Sequence, residues 1–377
     1  MRFTHFHTIY ITMFAAVMLS CNAGKNKTTN DDGDTIQFKY AKHITAVEHN
    51  GYTTVELDNP WKSGTSLHTY ILVERKDSAK HLSLPKGTIV YTPVNRAVVS
   101  TSPHCRLLFT LGAGNMVKGV CDLQYINMPN VRQLAAHGTI SDCGNSMAPS
   151  IERIVATAPQ AILVSPFENC SYGALETLDV PIIECADYME TSALGRAEWM
   201  KFYGRLVGKT ATADSLFNVV EKNYNAIAAR MKKTTTKPKI ITERVTSGVW
   251  YCPGGASSMG RLIEDAGGRY AFADDTHSGS LTLSPEKVIE KATNADVWLF
   301  IVYGNQMVKQ NELIAEYPGY KMIKAFKEGN IYECDSKTSP YFEEISFRPD
   351  FLIANLAAIF HPKSGIKDMH NYYKRLK

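Results

Sequence analysis

The sequence predicts an α/β protein of two Rossmann-like lobes joined by a single long α-helix, with a ligand cleft between the lobes and a small β-rich N-terminal extension. Three observations predict it. Short apolar runs, such as Val117 to Val120 and Ala161 to Val164, are separated by helical stretches, the pattern of parallel strands covered on both faces. One strand-and-helix pattern occurs twice along the chain. A single amphipathic segment lies between the two copies.

Residues 1–20 place Arg2 in a short polar start, run through a mostly apolar stretch from Ile9 to Leu19, and end at Ser20. A stretch this short cannot cross a hydrocarbon core of about 30 Å with ordinary flanks, so it reads as an export signal, the alternative being an uncleaved anchor that ends by chance at a cysteine. Met18-Leu19-Ser20-Cys21 resembles a bacterial lipobox, and that resemblance implies a lipid on Cys21 as the mature N-terminus. Residues 21–35 hold almost no apolar side chain and read as a flexible tether. No later segment reaches the about 18 apolar residues of a membrane span. The folded body is therefore expected to meet a membrane only through its lipid.

With 44% hydrophobic and 21% charged residues the chain can build a globular core. A formal charge of +4, with lysines and arginines mixed among acids, excludes a phosphate-tracking surface and hence nucleic acid. Of the eight cysteines, removing Cys21 leaves an odd number, and none of the rest form a CxxC pair, which argues against a zinc knuckle. One or two disulfides stay open outside the cytoplasm. Buried free thiols are expected for most.

Residues 36–84 alternate like antiparallel strands, as in Tyr52 to Leu57 and Thr69 to Val73, and read as an extension packed on the main body. After Pro85 the texture becomes strand–helix–strand. In the N-terminal lobe, residues 85–210, Thr88 to Tyr91 and Ala97 to Ser100 are strand candidates, and Cys105 to Leu111 a helix stopped at Gly112-Ala113-Gly114. The stretch from Ser150 through Glu152 to Ala161 returns from Ser284 through Glu286 to Ala295 with matched aliphatics and alanines. A looser echo links the Leu107–Gly114 segment to Leu262–Gly268. A helix N-terminus alone explains Ser and Glu in these places but not the matched apolar positions, so two related lobes are expected. Residues 211–233 carry Leu216, Val220, Tyr224, Ile227 and Met231 on one helical stripe, about 30 Å of linking helix. Residues 234–377 form the C-terminal lobe.

These marks, in this order, resemble the helix-linked periplasmic binding proteins that serve ABC importers of vitamin B12, ferric siderophores and haem, over roughly residues 85–360. The resemblance implies a monomeric, non-enzymatic lipoprotein facing the periplasm, with an ABC permease dimer and its ATPase as partner. In that family a glutamate on each lobe docks into the permease, and the matching positions here are Glu152 and Glu286. Two carboxylates on related lobes suit a two-fold partner, although helix capping alone also favours acids there.

A ligand cleft in such a protein lies on loops at the strand ends. Those loops carry Phe167, Tyr188, Trp250, Tyr251, Tyr303 and Tyr341, rigid aromatic faces suited to a bulky metal chelate, though aromatics at strand ends also cap cores. Trp298, inside a continuous apolar run, reads as core. Arg244 could neutralise an anionic chelate or pair with Glu243 or another acid, and it tips the expectation towards a ferric siderophore over cobalamin or haem. Gly254 to Gly260 lacks the Gly-Lys-Ser/Thr ending of a phosphate loop and reads as a tight turn capped by Ser257 or Ser258.

A bare zinc or manganese carrier is the nearest alternative and would need several ligands converging on one point. The histidines are scattered, with only His104, His137 and His277 near the expected cleft. A chelatase-type enzyme on the same architecture is the other alternative. No Gly-x-Ser-x-Gly elbow occurs, and the adjacent Glu343 and Glu344 should point apart.

Overall fold

The computed structural model describes residues 33–78, 82–304 and 306–376. The expected export signal, Cys21 and most of the expected tether lie outside the described residues. Among those described, no helix is long and apolar enough to cross a membrane.

Two parallel sheets form the lobes. The N-terminal sheet runs in the order Ile182–Glu184, Ala161–Val164, Ala97–Val99, Val117–Val120, Ser141–Asp142, all parallel. The C-terminal sheet runs Arg269–Tyr270, Lys239–Thr242, Val297–Val302, Ile331–Asp335, with Lys374–Arg375 added antiparallel at the edge. Matching Ala97–Val99 to Lys239–Thr242 aligns four strands of each sheet in the same spatial order. The sequence repeat is thus a repeat of topology.

Local chemistry repeats with it. Ser150 caps the helix Ile151–Ala156 by accepting from Arg153 N, and Ser284 caps Pro285–Ala292 by accepting from Lys287 N. Each helix leads into the lobe's next inner strand. The helices Ser102–Thr110 and Ser258–Asp265 both end before a glycine in the left-handed region, Gly112 at φ +74° and Gly267 at φ +83°. There a side chain would be strained, and the turn that sends the chain back to the sheet depends on its absence.

The linking helix is Thr210–Met231. Val220, Tyr224 and Met231 of the expected stripe are buried, and Leu216 and Ile227 pack at its margin. The helix is pinned to both lobes. Ala213 lies so close to Gly204 that a Cβ on Gly204 would sit 2.5 Å from the Ala213 Cβ. On the other side the Tyr224 hydroxyl donates to Asp265 (2.7 Å), and Asn223 donates to Asp350 (3.1 Å) on the final helix Pro349–Phe360.

The extension is a five-stranded sheet of Asp34–Ile36, Ile44–His49, Tyr52–Asp58, Ser66–Glu74 and Thr88–Thr92. The last strand differs from expectation. Thr88–Thr92 pairs in parallel with Ser66–Glu74, not with the N-terminal lobe's sheet, so the extension's sheet continues past residue 84. The apolar run shows a strand, but its neighbour is decided by where the crossover returns the chain.

Two buried glutamates hold the extension on the lobe. Glu198 accepts from the backbone N–H of Lys39, Tyr40 and Ala41 at 2.9, 2.7 and 3.0 Å. Glu190 accepts from those of Lys42 and His43, and from the Trp199 indole at 2.9 Å. Further along, the buried Tyr70 hydroxyl accepts from Glu184 N and donates to Ile182 O, covering the edge strand of the lobe's sheet.

Candidate functional site

The carboxyl ends of the C-terminal lobe's strands open onto a hollow of about 810 Å³, within the range of small-molecule sites. Its floor is set by Glu243 and Arg244, directly after Lys239–Thr242, and by Ile301 and Val302 at the end of the neighbouring strand. The strand Val249–Pro253, paired antiparallel with Ser280–Leu283, forms one wall. Tyr303 and Phe342 stand opposite, and Tyr188 and Met189 reach in from the N-terminal lobe. A second hollow of about 400 Å³ opens at the strand ends of the N-terminal lobe, lined by Ser100, Thr101, Ser165, Phe167 and Tyr172 among others. Tyr188 links the two, because its hydroxyl donates to Pro166 O at 2.6 Å.

Alternation along Val249–Pro253 sorts its aromatics. Tyr251 faces the hollow and is 46% exposed, whereas Trp250 is 0% exposed and donates to Thr242 O. Trp250 instead packs on Trp298 and Tyr320, with ring centroids 6.1 and 5.4 Å away. The expectation that Trp250 touches ligand is therefore corrected: successive strand residues face opposite ways, and Trp250 takes the inward position. Tyr341 is corrected likewise. It is 1% exposed at the start of the short helix Tyr341–Glu344, with its hydroxyl near that of Tyr373, and the next residue, Phe342, takes the place at the hollow. Tyr303 is half exposed, donates to Gln124 O across the lobes, and meets Tyr125 edge-on at 5.5 Å. Phe167 lies at the N-terminal hollow. Trp298 is core, as its apolar run indicates.

Arg244 pairs with Glu316, not with Glu243. The Glu316 carboxylate also accepts from the Tyr320 hydroxyl at 2.8 Å. Glu243, which sequence reasoning passed over as a site residue, adopts φ +61° at the strand end, a conformation side chains seldom take. Burial pushes its carboxyl up to about 7, against the opposing pull of the Ile301 N–H and of Arg244. The signal available was two adjacent charged residues directly after the strand Lys239–Thr242.

Beneath the N-terminal rim lies a buried charge cluster. His104 bonds Asp187 at 2.6 Å, Tyr203 donates to the same carboxyl at 2.8 Å, and Arg196 reaches its other oxygen at 3.1 Å. Thr101 contacts the far side of the imidazole. This cluster anchors the turn that presents Tyr188 and Met189. The other histidines named from sequence stay apart: His277 pairs with Asp275, and His137 ends the helix Pro129–Ala136. Among the described residues no three His, Cys, Asp or Glu side chains converge as a metal site would need. All seven described cysteines are free.

Glu343 and Glu344 are buried and do point apart. Glu343 accepts from Asn127 N and Glu344 from Arg106, ties between the lobes. Ser257 is the serine that caps the Ser258–Asp265 helix, accepting from Gly260 N. Glu152 and Glu286 are exposed in the first turns of the two repeated helices. In the N-terminal lobe the start of that helix borders the hollow, which Pro149 and Ile151 line.

Known proteins share this architecture. The family model described as periplasmic binding protein matches residues 98–338. An uncharacterized lipoprotein of Methanocaldococcus jannaschii is 26% identical over 94% of this chain and 92% of its own. A periplasmic haem-binding protein from Pseudomonas aeruginosa superposes with a TM-score of 0.60 at 16% identity, covering 75% of this chain and 98% of that one. A protein of an ABC-type Fe3+-hydroxamate transport system from Saccharomonospora viridis does so with a TM-score of 0.56 at 17% identity, covering 71% and 94%. With the match spanning both lobes and the helix between them, the chain belongs to the periplasmic binding protein family, in the form whose lobes are joined by a single helix.

Proposed function

We propose that this protein captures a bulky metal chelate in its aromatic cleft and hands it to an ABC importer. The observation that carries the reading is the pairing of an aromatic hollow of about 810 Å³ with a lining that offers no converging donor set among the described residues. A guest metal would then keep the donors of its own chelator, and the protein would grip the chelator's outside. Ferric siderophores, cobalamin and haem all have that form, and the haem and Fe3+-hydroxamate proteins of like fold agree with it. A bare-ion carrier lacks support from this lining. The relatives named as lipoproteins support a lipid anchor on Cys21.

Titrating the mature protein with haemin, cyanocobalamin and ferric chelates by calorimetry tests the capture. Saturable one-to-one binding of at least one is expected, and binding of none sinks the reading. Tyr251→Ala is expected to weaken that binding by about tenfold through the lost aromatic contact, with little change in thermal stability. Trp250→Ala should instead lower stability by about 3–5 kcal/mol, because it empties a packed aromatic core.

Glu152 and Glu286 serve in this reading as the docking contacts to the two halves of the permease dimer. Their placement on equivalent first turns of the two lobes supports it. The double variant Glu152→Lys, Glu286→Lys is expected to bind chelate at the parental affinity while uptake into reconstituted vesicles falls to background. Normal uptake by the double variant would remove the docking role.

A further inference from the structure

We infer that the cleft selects an electrically neutral metal chelate over an anionic one, an inference that rests on the chelate-binding reading. Among the described residues lining the two hollows, Arg244 is the only lysine, arginine or histidine, and Glu243 the only acid. Arg244 is already matched: its guanidinium pairs with Glu316 and lies 5.9 Å from the Phe300 ring centroid. The exposed Lys337 stands over Tyr303, 5.7 Å from that ring, and does not line the hollow.

The remaining polar lining is hydroxyl. Ser258, Ser278 and Ser280 line the C-terminal hollow, and Ser100 and Ser165 the N-terminal one. Hydroxyls and aromatic faces can hold amide, hydroxamate or corrin edges without a charge partner. A tris-catecholate or a macrocycle with two propionates would lose water against a wall that offers no unmatched cation, and that loss is costly. To receive it Arg244 would have to leave Glu316, which would then stand without its cation. Glu243, pushed up to about 7 by burial, is about half ionised at neutral pH and supplies no positive charge for an anion.

Calorimetric titration of the mature protein with four probes tests this. Ferrichrome is a neutral ferric trihydroxamate, cyanocobalamin a neutral corrinoid, ferric enterobactin a tri-anionic tris-catecholate, and haemin carries two propionates. One neutral probe is expected to bind about 100-fold more tightly than either anionic one, the cost of the uncompensated charge. Which neutral probe binds separates a hydroxamate cargo from a corrinoid. Ferric enterobactin or haemin binding as tightly as the neutral probes would overturn the inference and leave the chelate reading standing. No binding by any of the four would overturn the reading, and the inference with it. Glu316→Gln supplies a second measurement, since it leaves the Arg244 charge unbalanced without altering the lining. Because the variant removes the negative charge opposite Arg244 while keeping an acceptor there, it should raise affinity for ferric enterobactin about tenfold while the neutral probe is unaffected. No gain for the anion in a variant that melts as the parent does would also overturn the inference.

Discussion

Replacing Glu198 by alanine is expected to cost about 3–5 kcal/mol, because it removes a buried carboxylate that neutralises and organises several donors at once. Three consecutive backbone N–H groups, from Lys39 to Ala41, and the Lys201 ammonium at 2.7 Å all end on that carboxylate. Lys201 keeps a second acceptor, Gln37 O at 3.0 Å, but the three backbone N–H groups lose the carboxylate that pairs them, and Ala41 is itself buried. The damage should be local in the first instance. The strand Asp34–Ile36 and the segment 39–43 would loosen from the lobe, while the two parallel sheets keep their own cores. Thermal unfolding should therefore begin several degrees lower, and limited proteolysis should cut within residues 37–43 before any cut in the lobes. An unchanged melting curve and cleavage pattern would show that the extension is held by its sheet alone.

The second large effect is expected at Asp187. Asp187→Ala leaves His104 and Arg196 facing each other in a buried site, and breaking such a cluster costs about 3–5 kcal/mol. The pH dependence has a definite sign. Burial alone would discharge His104, but the Cys185 sulfur and the Asp187 carboxylate outweigh it and hold the imidazole up to about 10. Burial likewise works against the Asp187 charge, and His104 with Arg196 overcomes it, keeping the carboxyl below its ordinary value of 3.8. A raised histidine contributes fully below its ordinary value of 6.5 and is lost as the pH climbs towards about 10. A lowered carboxylate contributes above 3.8 and is lost as the pH falls through its folded value. The cluster is thus most stabilising between these limits. Denaturant unfolding of the parent should weaken from pH 6.5 to pH 10, and His104→Gln, stable or not, should remove that part of the slope. A parent whose stability is flat across that interval would show that His104 is neutral in the fold.

Local signals made the repeated half of the structure readable. Ser150 and Ser284 announce helix starts, the glycines at 112 and 267 announce stops, and the stripe from Leu216 to Met231 fixes one long helix. Each of these depends on neighbours within a few residues. What the sequence does not display are choices made between distant parts. Thr88–Thr92 is recognisably a strand, but its partner is not written in it. Glu190 and Glu198 look like ordinary helix-surface acids, because their acceptor role depends on backbone brought in from residues 39–43. At the cleft, the aromatic loops were found but their facing was not. Trp250 and Tyr251 are equivalent by composition, and only the strand's alternation separates core from wall. Glu316 was invisible as the partner of Arg244 because it comes from a helix well along the chain.

The rod between the halves has a consequence for whatever reads this protein from outside. Thr210–Met231 is fastened to one half along the Gly204–Ala213 contact and to the other through Asp265 and Asp350, while Arg106 with Glu344 and Asn127 with Glu343 add cross-ties nearer the mouth. A wide jaw-like swing would tear several of these at once. On the proposed delivery role, the outline shown to a receptor would be nearly the same vacant as laden, and the news that cargo is aboard would be carried by the cargo's own uncovered face or by rim side chains such as Tyr251 and Tyr303.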